Sequence, residues 1–394
     1  MSATQSRWSR VTVAVGVCAL VVWQLAAVVG VPQRTAVALG LYGFVLHVVF
    51  GKAYALVPSY FDRDLAVRRA PLLSLPFTAV GAVGLAVAPF GWAPSLAGPT
   101  GAAAWAIGVT VVVATLAWTV RDNPTGSETG TGEHNADRQS LDRLANAFVP
   151  VVGLYLLVGT WATGAAALGL PGPLDGYPPR VTHLLAAGGA ALLVFAVGFR
   201  LLPRFLVASV PRPLPWVVLP AGAIGPALLA VGLPAGPVFR AGALMEATAV
   251  IGFALAYAAL LRATDRGRVG FYGPALGALA GVAGVALGVW FAFGTRSPSL
   301  VATHLRLNLL GLLGLTIAGV TFQFYPPTVG RFPGASDRTA LVALGLLAGG
   351  LAVELAGTIT ATDAGVTTGR GLAVVGAVCY AYLVLGVFVH QART

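Results

Sequence analysis

Apolar runs of membrane-spanning length constrain this chain more than any other feature. The 394-residue sequence contains twelve stretches of about 20 predominantly apolar residues, each long enough to cross the hydrocarbon core of a bilayer as a helix. A lipid environment leaves backbone polar groups to be satisfied within the segment, so these stretches must be helical. The sequence therefore predicts an all-α polytopic membrane protein with twelve transmembrane helices. The predicted spans are residues 11–30, 36–58, 71–90, 99–119, 145–169, 180–202, 213–232, 239–262, 270–293, 302–325, 339–361 and 369–389.

The composition agrees with this class and excludes two others. Hydrophobic residues make up 57% of the chain and charged residues 9%, whereas a soluble domain carries about 25% charged residues. The net charge of +11 has no basic run with interleaved aromatic residues beside it, so nucleic acid binding is excluded. Cys18 and Cys379 both lie in apolar spans and form no metal motif. The first apolar run is too long for a signal-peptide core and is predicted to be a retained span.

Basic residues are distributed unequally between the two predicted sides of the membrane. Seventeen arginines fall in the termini and in the loops after the even-numbered spans, and five fall in the other loops. Lys52 and Arg306 lie inside spans. Short cytoplasmic loops collect arginine, so both termini are predicted to be cytoplasmic in a multi-pass protein of the cell membrane.

One long polar stretch interrupts the spans. Residues 120–143 are rich in Gly, Thr, Asp and Glu, which cannot build a hydrophobic core. We interpret this stretch as a cytoplasmic linker, with Ser140 as the N-cap of the fifth span. His134 within it is interpreted as a solvated side chain.

Three segments at the ends of the second, sixth and tenth spans resemble one another. They are FGKAYALVPSYF (50–61), FAVGFRLLPRFL (195–206) and GVTFQFYPPTVG (319–330), each with small residues, then aromatic residues, then a proline. Their spacing predicts three pseudo-repeats of four helices. The predicted organisation is 1–119 for helices 1–4, 120–143 for the linker, 144–262 for helices 5–8 and 263–394 for helices 9–12. Chance similarity among membrane helices is the alternative.

The prolines of these segments serve as a common marker of depth. His183 lies 20 residues before Pro203 and His304 lies 22 residues before Pro326, so both are about 30 Å from the cytoplasmic surface. His47 lies about 16 Å deep by the same measure, close to the middle of the bilayer. Two imidazoles on one metal have nitrogens about 4 Å apart, twice the usual metal–nitrogen distance. His183 and His304 share a level and can meet that condition.

The chain resembles the haem–copper oxidase subunit I superfamily, and within it the NnrS-like and nitric-oxide-reductase-like relatives. The resemblance rests on the twelve spans, on the four-helix repeats, and on His183 followed by LLAAGGAALLVFAVGFRLLPRF and His304 followed by LRLNLLGLLGLTIAGVTFQFYPP. It implies a haem or a copper ion held between helices six and ten. It also implies a role in nitric oxide or metal handling or in respiratory electron transfer, with an electron-transfer partner.

Several ligands of that family are missing from this sequence. The second helix has Thr35 to Ala38 where the family has a haem-ligating histidine, and the tenth has His304-Leu305-Arg306 in place of His-x-His. The seventh span, residues 213–232, contains no histidine. A complete oxygen-reducing centre cannot be assembled from these residues, so the chain is not predicted to be a terminal oxidase.

The candidate cofactor-binding residues each have a structural alternative. His183 and His304 are the candidate metal ligands, and Asn308 shares a helix face with His304. Alternatively, His304 and Asn308 could sit at the outer interface or bond a neighbouring helix, and the small residues Ala187, Gly188 and Gly189 after His183 could serve ordinary helix packing. Arg306 could contact a haem propionate, although snorkelling to the outer surface is the preferred interpretation. His47 could bind a haem or metal, although a buried hydrogen bond is preferred.

Two further functions fit the composition. Glu246, Glu354 and Lys52 are charged residues within spans and could form the charge path of a transporter. Alternatively, the chain could be a cofactor-free oxidase-like scaffold or assembly protein, because a fold does not dictate chemistry.

Overall fold

The computed structural model describes the backbone of residues 3–393 and the side chains of residues 6–392. Twelve helices are long and apolar enough to cross a membrane, which confirms the predicted number of spans. The described residues form helices and loops and contain no β-strand. The helices are α1 Ser6–Val29, α2 Gln33–Tyr60, α3 Ala70–Val87, α4 Ala97–Thr119, α5 Glu133–Leu168, α6 Pro178–Leu206, α7 Pro213–Gly232, α8 Pro237–Ala263, α9 Val269–Phe293, α10 Pro298–Val329, α11 Asp337–Ile359 and α12 Asp363–Ala392.

Three helices form the interior of the bundle. In the apolar windows of α2, α6 and α10, 78%, 78% and 83% of the residues are buried, whereas the other nine helices have 39% to 50%. Helices α2, α6 and α10 are therefore surrounded by protein, and the nine others present one face to lipid. Polar groups in a bilayer are tolerated mainly where protein surrounds them, so the interior helices are where chemistry is expected.

Each of the three interior helices contains a π-helical segment. The segments are Ala38–Val45 in α2, Leu184–Ala191 in α6 and Leu307–Leu315 in α10, and they contact one another. A π-helical segment shifts the hydrogen-bond register and frees backbone carbonyls for other donors, and such segments are frequent at functional sites. The segment in α6 begins immediately after His183, and the segment in α10 begins three residues after His304.

Small residues allow the interior helices to approach their neighbours closely. The clearest contact joins α9 to α10, where a Cβ atom added to Gly319 would lie 2.5 Å from the carbonyl oxygen of Gly270 and 2.7 Å from Cα of Gly273. Glycine at this contact lets two backbones meet, which is the usual way that helices pack in lipid.

The loops that follow the even-numbered helices lie together at one end of the bundle, which we call the arginine-rich end. The opposite end, where α6 and α10 begin and where His183 and His304 lie, is called the histidine end.

At the arginine-rich end, a buried polar cluster joins α5 to α6. Asp142 forms ion pairs with Arg204 at 2.6 Å and with Arg200 at 3.3 Å. Arg200 also donates to Asn146 Oδ1 at 2.6 Å and to the carbonyl of Thr129 at 2.8 Å.

This cluster corrects the interpretation of the linker. Residues 120–143 are not uniformly unstructured, because α5 begins at Glu133 and the side chains of Asn123 and Thr129 are buried. The predicted N-cap at Ser140 is also wrong: the helical segment starts earlier, and Ser140 is exposed. The physical reason is that Arg200 and Arg204 of α6 bond to Asp142 and to the carbonyl of Thr129, while hydrogen bonds within the stretch, such as that from Asn123 to the carbonyl of Glu128, satisfy other polar groups. His134 is exposed, as predicted.

A second charged contact at this end is exposed. Arg63 pairs with Asp122 at 3.0 Å and with Glu128 at 2.5 Å, and both acids are largely in solvent. The hydrogen bond from Arg63 lowers the pKa of the Asp122 carboxyl. A carboxyl with a lowered pKa in the folded state contributes stability above its unfolded pKa and loses that contribution as the pH falls. Solvent and salt screen exposed pairs, so this contribution is small.

Replacing Gly319 by valine is expected to destabilise the bundle by about 1–3 kcal/mol, because the new side chain would overlap the α9 backbone. Thermal unfolding of the detergent-solubilised protein measures the change. Gly345→Val is the matched control, since a Cβ there meets nothing within 4 Å. Equal effects of the two substitutions would contradict the close packing of α9 and α10.

Replacing Asp142 by asparagine is expected to cost about 3–5 kcal/mol, since the buried guanidinium of Arg200 and the partly exposed one of Arg204 would lose their shared buried carboxylate. Asp122→Asn, at the exposed pair, is expected to shift the unfolding temperature far less. Chemical or thermal unfolding at neutral pH compares the two variants. A larger effect of Asp122→Asn would show that the Asp142 cluster does not hold the linker.

Candidate metal centre

His183 stands near the start of α6, at the histidine end. Its Nδ1 atom lies 2.7 Å from the carbonyl oxygen of Pro179, one turn earlier. A carbonyl oxygen only accepts hydrogen bonds, so Nδ1 carries the proton and Nε2 is the unprotonated nitrogen. Within the described part of the chain, Nε2 has no hydrogen-bond partner.

His304 is held in the same way by a different helix. Its Nδ1 atom donates to the carbonyl oxygen of Gly284 on α9 at 2.8 Å, which again leaves Nε2 unprotonated. Asn308 donates to the His304 carbonyl at 2.8 Å. The Asn308 amide also lies 3.4 Å from His304 Nδ1, but Nδ1 already donates to Gly284, so the shorter bond to the carbonyl is the one that forms. A histidine ligand whose other nitrogen donates to a carbonyl is the usual arrangement at metal sites.

The two imidazoles lie close together. Their ring centroids lie 6.4 Å apart, and the ring planes are inclined by 30°. Two metal–nitrogen bonds of about 2 Å, with each ring centre roughly 1 Å behind its nitrogen, place the centroids of two imidazoles on one metal roughly 6 Å apart. The predicted juxtaposition of His183 and His304 is confirmed. Ligation of a metal by them stays a prediction.

Both rings border a cavity of about 180 Å³. Its walls come from α6, α7, α8, α9 and α10 and are mostly apolar. Gly288 makes room for the His304 ring, because a Cβ added there would lie 3.2 Å from Cε1. The polar side chains in the lining are Tyr177, Thr182, His183, Glu246, Arg296, His304 and Asn308.

The size of the cavity bears on which cofactor the residues fit. Pockets for organic ligands span roughly 300–1,000 Å³, and this cavity of about 180 Å³ is smaller. A haem macrocycle would require the lining side chains to move, whereas an ion with one small additional ligand would not. Among the residues whose side chains are described, no group of three or more His, Cys, Asp or Glu is placed to hold a metal. Among the described residues that line the cavity, His183 and His304 are the two candidate imidazole ligands.

Glu246 belongs to this cavity, which sequence reasoning missed. Its Oε1 atom is buried and has no hydrogen-bond partner, and it packs against Gly225 of α7. The sequence shows that Glu246 lies within a span, but hydropathy carries no information on which neighbour that face of α8 meets.

Arg306 lies apart from the histidine cavity and does not line it. It forms an ion pair with Glu354 at 2.5 Å and donates to Gln24 Oε1 at 3.0 Å. The snorkelling interpretation is wrong, because Arg306 is only 5% exposed and its charge is met inside the bundle. The carboxylate that it contacts is a protein side chain.

His47 also lies away from the pair. Its Nδ1 donates to the carbonyl of Tyr42, within the π-helical segment of α2, at 2.7 Å. Its ring centroid is 6.3 Å from that of Trp105. The preferred interpretation, a buried hydrogen bond, is confirmed. Nε2 of His47 is buried without a partner, but the structure does not bring this ring to His183 or His304.

The small residues after His183 serve two purposes. A Cβ on Gly189 would lie 3.0 Å from the Leu156 side chain, and Gly188 packs against the Tyr155 ring, so both glycines contact α5. Ala187 faces the cavity.

The three charged residues of the transporter hypothesis lie in three separate places. Lys52 donates to the Tyr325 hydroxyl at 2.9 Å near the arginine-rich end. Glu354 is bonded to Arg306 and Arg370, and Glu246 faces the histidine cavity. These contacts do not form one continuous charge path.

No protein-family model matches this chain, and no curated protein matches it.

The cavity is expected to admit small reagents from the histidine end, because exposed Arg296 and partly exposed Tyr177 stand in its lining. In a background with Cys18 and Cys379 replaced by alanine, Ala187→Cys should react with a small thiosulfonate reagent. Ala190→Cys should react much more slowly, since Ala190 is fully buried and does not line the cavity. Equal protection of both cysteines would mean that the cavity is closed.

Proposed function

We propose that the chain is an integral membrane metal-binding protein that holds one copper ion between His183 and His304. The single observation that carries this proposal is the pair of imidazoles across one cavity, 6.4 Å between ring centroids, each with Nδ1 bonded to a backbone carbonyl. Two histidines held by separate helices and both presenting an unprotonated nitrogen are a costly arrangement in a bilayer unless something binds there.

The chemistry of the site supports copper among the candidate occupants. Imidazole nitrogens suit copper, zinc, iron and nickel, and copper(II) binds most tightly among the divalent ions of that series. Glu246 lines the same cavity without a partner, and a cation would offset the cost of an ionised carboxylate there. Haem, the other cofactor implied by the resemblance, is less well supported because of the size of the cavity.

Bound copper would supply an open coordination position or a one-electron couple, which suits the handling of nitric oxide, of copper itself, or of electrons. His183 and His304 would hold the ion, the carbonyls of Pro179 and Gly284 keep Nδ1 of each ring protonated, and the mostly apolar lining would limit access of water. Asn308 fixes the His304 backbone, and Gly288 leaves space for its ring.

An architecture like that of haem–copper oxidase subunit I is part of this proposal. The π-helical segments at corresponding places in α2, α6 and α10, and the interior position of these three helices, support three repeats of four helices. The arginine distribution supports cytoplasmic termini and a place in the cell membrane. Arg306 stands where that family has its second histidine on the tenth helix, and its pairing with Glu354 supports one metal centre rather than two.

Metal analysis and the absorption spectrum of the purified, detergent-solubilised protein test the proposal. We expect one copper per chain and no Soret band. His183→Ala and His304→Ala should each lower the copper affinity by more than about 100-fold, because each removes one of only two protein ligands. His134→Ala, in an exposed segment, is the matched control.

Two results would contradict the copper centre. Unchanged copper binding in both histidine variants would place the metal elsewhere. A Soret band that disappears in those variants would identify haem as the occupant and show that the cavity expands.

A further inference from the structure

A second buried polar cluster lies where α1, α10, α11 and α12 meet. Arg306 of α10 is its centre, with Glu354 on one side at 2.5 Å and Gln24 Oε1 on the other at 3.0 Å. Arg370 of α12 bonds to the second oxygen of Glu354 at 2.9 Å and to the carbonyl of Ala27 at 3.0 Å.

The charges of this cluster do not balance. Two guanidinium groups share the single carboxylate of Glu354, and in the described part of the chain no other acid forms an ion pair with either arginine. Solvent reaches part of the Arg370 side chain, of which 26% is exposed, but only 6% of the Arg306 side chain is exposed. The cluster therefore carries an excess of one positive charge, which Arg306 and Arg370 share through Glu354. An uncompensated cation in a low-dielectric interior is strongly unfavourable.

Three buried hydrogen-bond donors of the cluster have no partner. They are Trp23 Nε1, Gln24 Nε2 and Arg306 Nη1. The Arg306 guanidinium and the Gln24 amide already share one hydrogen bond, from Nη2 to Oε1, and Arg306 Nη1 and Gln24 Nε2 are the terminal nitrogens of these two groups that stay unpartnered. The guanidinium carbon lies 5.6 Å from the Trp23 ring centroid. All three atoms are N–H donors, and both Glu354 oxygens are already occupied. The cluster lacks an acceptor and a negative charge.

A small anion supplies both a hydrogen-bond acceptor and a negative charge. Water accepts about two hydrogen bonds and brings two hydrogens that need acceptors of their own, and it leaves the excess positive charge of the cluster in place. From these observations we infer that Trp23, Gln24 and Arg306 bind a small monovalent anion of the halide type. The anion accepts hydrogen bonds from the three N–H groups and neutralises the cluster, which ties α1 to the interior helix α10.

This site is separate from the proposed copper centre. The described lining of the histidine cavity contains none of Trp23, Gln24, Arg306, Glu354 or Arg370. The inference does not rest on the proposed function, and each can fail without the other.

Halide-dependent stability tests the anion site. The full chain in detergent is unfolded thermally in sodium bromide, in sodium chloride and in sodium gluconate at one ionic strength. Because a ligand that binds only the folded state raises its stability, we expect the unfolding temperature to rise saturably with halide, by about 2 °C or more, but not with gluconate.

Two conservative variants connect this effect to the cluster. Gln24→Glu replaces the unpartnered donor by a carboxylate of the same shape and provides an internal negative charge. It is expected to abolish the halide dependence and to raise the unfolding temperature in gluconate. Trp23→Phe removes one N–H donor and should weaken the halide effect. Because the part of the indole that packs against Gly40 is lost as well, the comparison is between halide and gluconate within this variant.

Anomalous scattering from crystals grown in bromide locates the ion directly. A bromide peak within hydrogen-bond distance of Arg306 Nη1 and Gln24 Nε2 is the expected result. Equal stabilisation by bromide and gluconate, a halide effect that persists unchanged in Gln24→Glu, or a water at that position in the bromide crystal would each overturn the inference.

Discussion

An unsatisfied polar group in hydrocarbon costs several kcal/mol, and this constraint governs where the polar side chains of the bundle lie. His47, His183, His304 and Arg306 all belong to α2, α6 or α10, the helices that protein surrounds. Every one of them is bonded to a backbone carbonyl or to a charged partner. The nine outer helices contribute the partners, such as the Gly284 carbonyl and Glu354, from the faces that they turn inward. The polar chemistry of the molecule is thus a property of the interior helices and their immediate neighbours.

The π-helical segments also affect the hydrogen bonds and the positions of the histidines in the interior helices. In α2 the segment places the Tyr42 carbonyl where His47 can donate to it, and in α6 and α10 the segments follow His183 and His304. The imidazoles are fixed by carbonyls of Pro179 and Gly284, so their Nε2 atoms are oriented by the backbone rather than by mobile side chains. In the proposed copper centre, this fixation by the backbone would hold both imidazoles in position for an ion.

The position of a residue along its helix axis could be predicted from the sequence, but the direction in which its side chain points around that axis could not. Hydropathy placed all twelve spans, and counting from Pro203 and Pro326 placed His183 and His304 at one level, because each residue adds a fixed rise. The same counting correctly separated His47 from them. It could not show that Arg306, two residues after His304, faces Glu354 and Gln24, or that Glu246 faces the histidine cavity. Those facts depend on which neighbour meets each helix face. The structure of the linker could not be predicted for a related reason: Asp142 finds its partners on α6, about 60 residues away in sequence.

The two polar centres illustrate how one helix can serve separate tasks. His304 and Arg306 point from α10 into different surroundings. His304 borders a mostly apolar cavity with a second imidazole, and Arg306 lies in a charged cluster with α1, α11 and α12.

Copper K-edge X-ray absorption of the metal-loaded protein tests the central claim most directly. The account predicts two nitrogen scatterers at about 2 Å with the outer-shell pattern of imidazole. Sulfur scatterers, or the four equivalent nitrogens of a macrocycle seen at an iron edge instead, would contradict it.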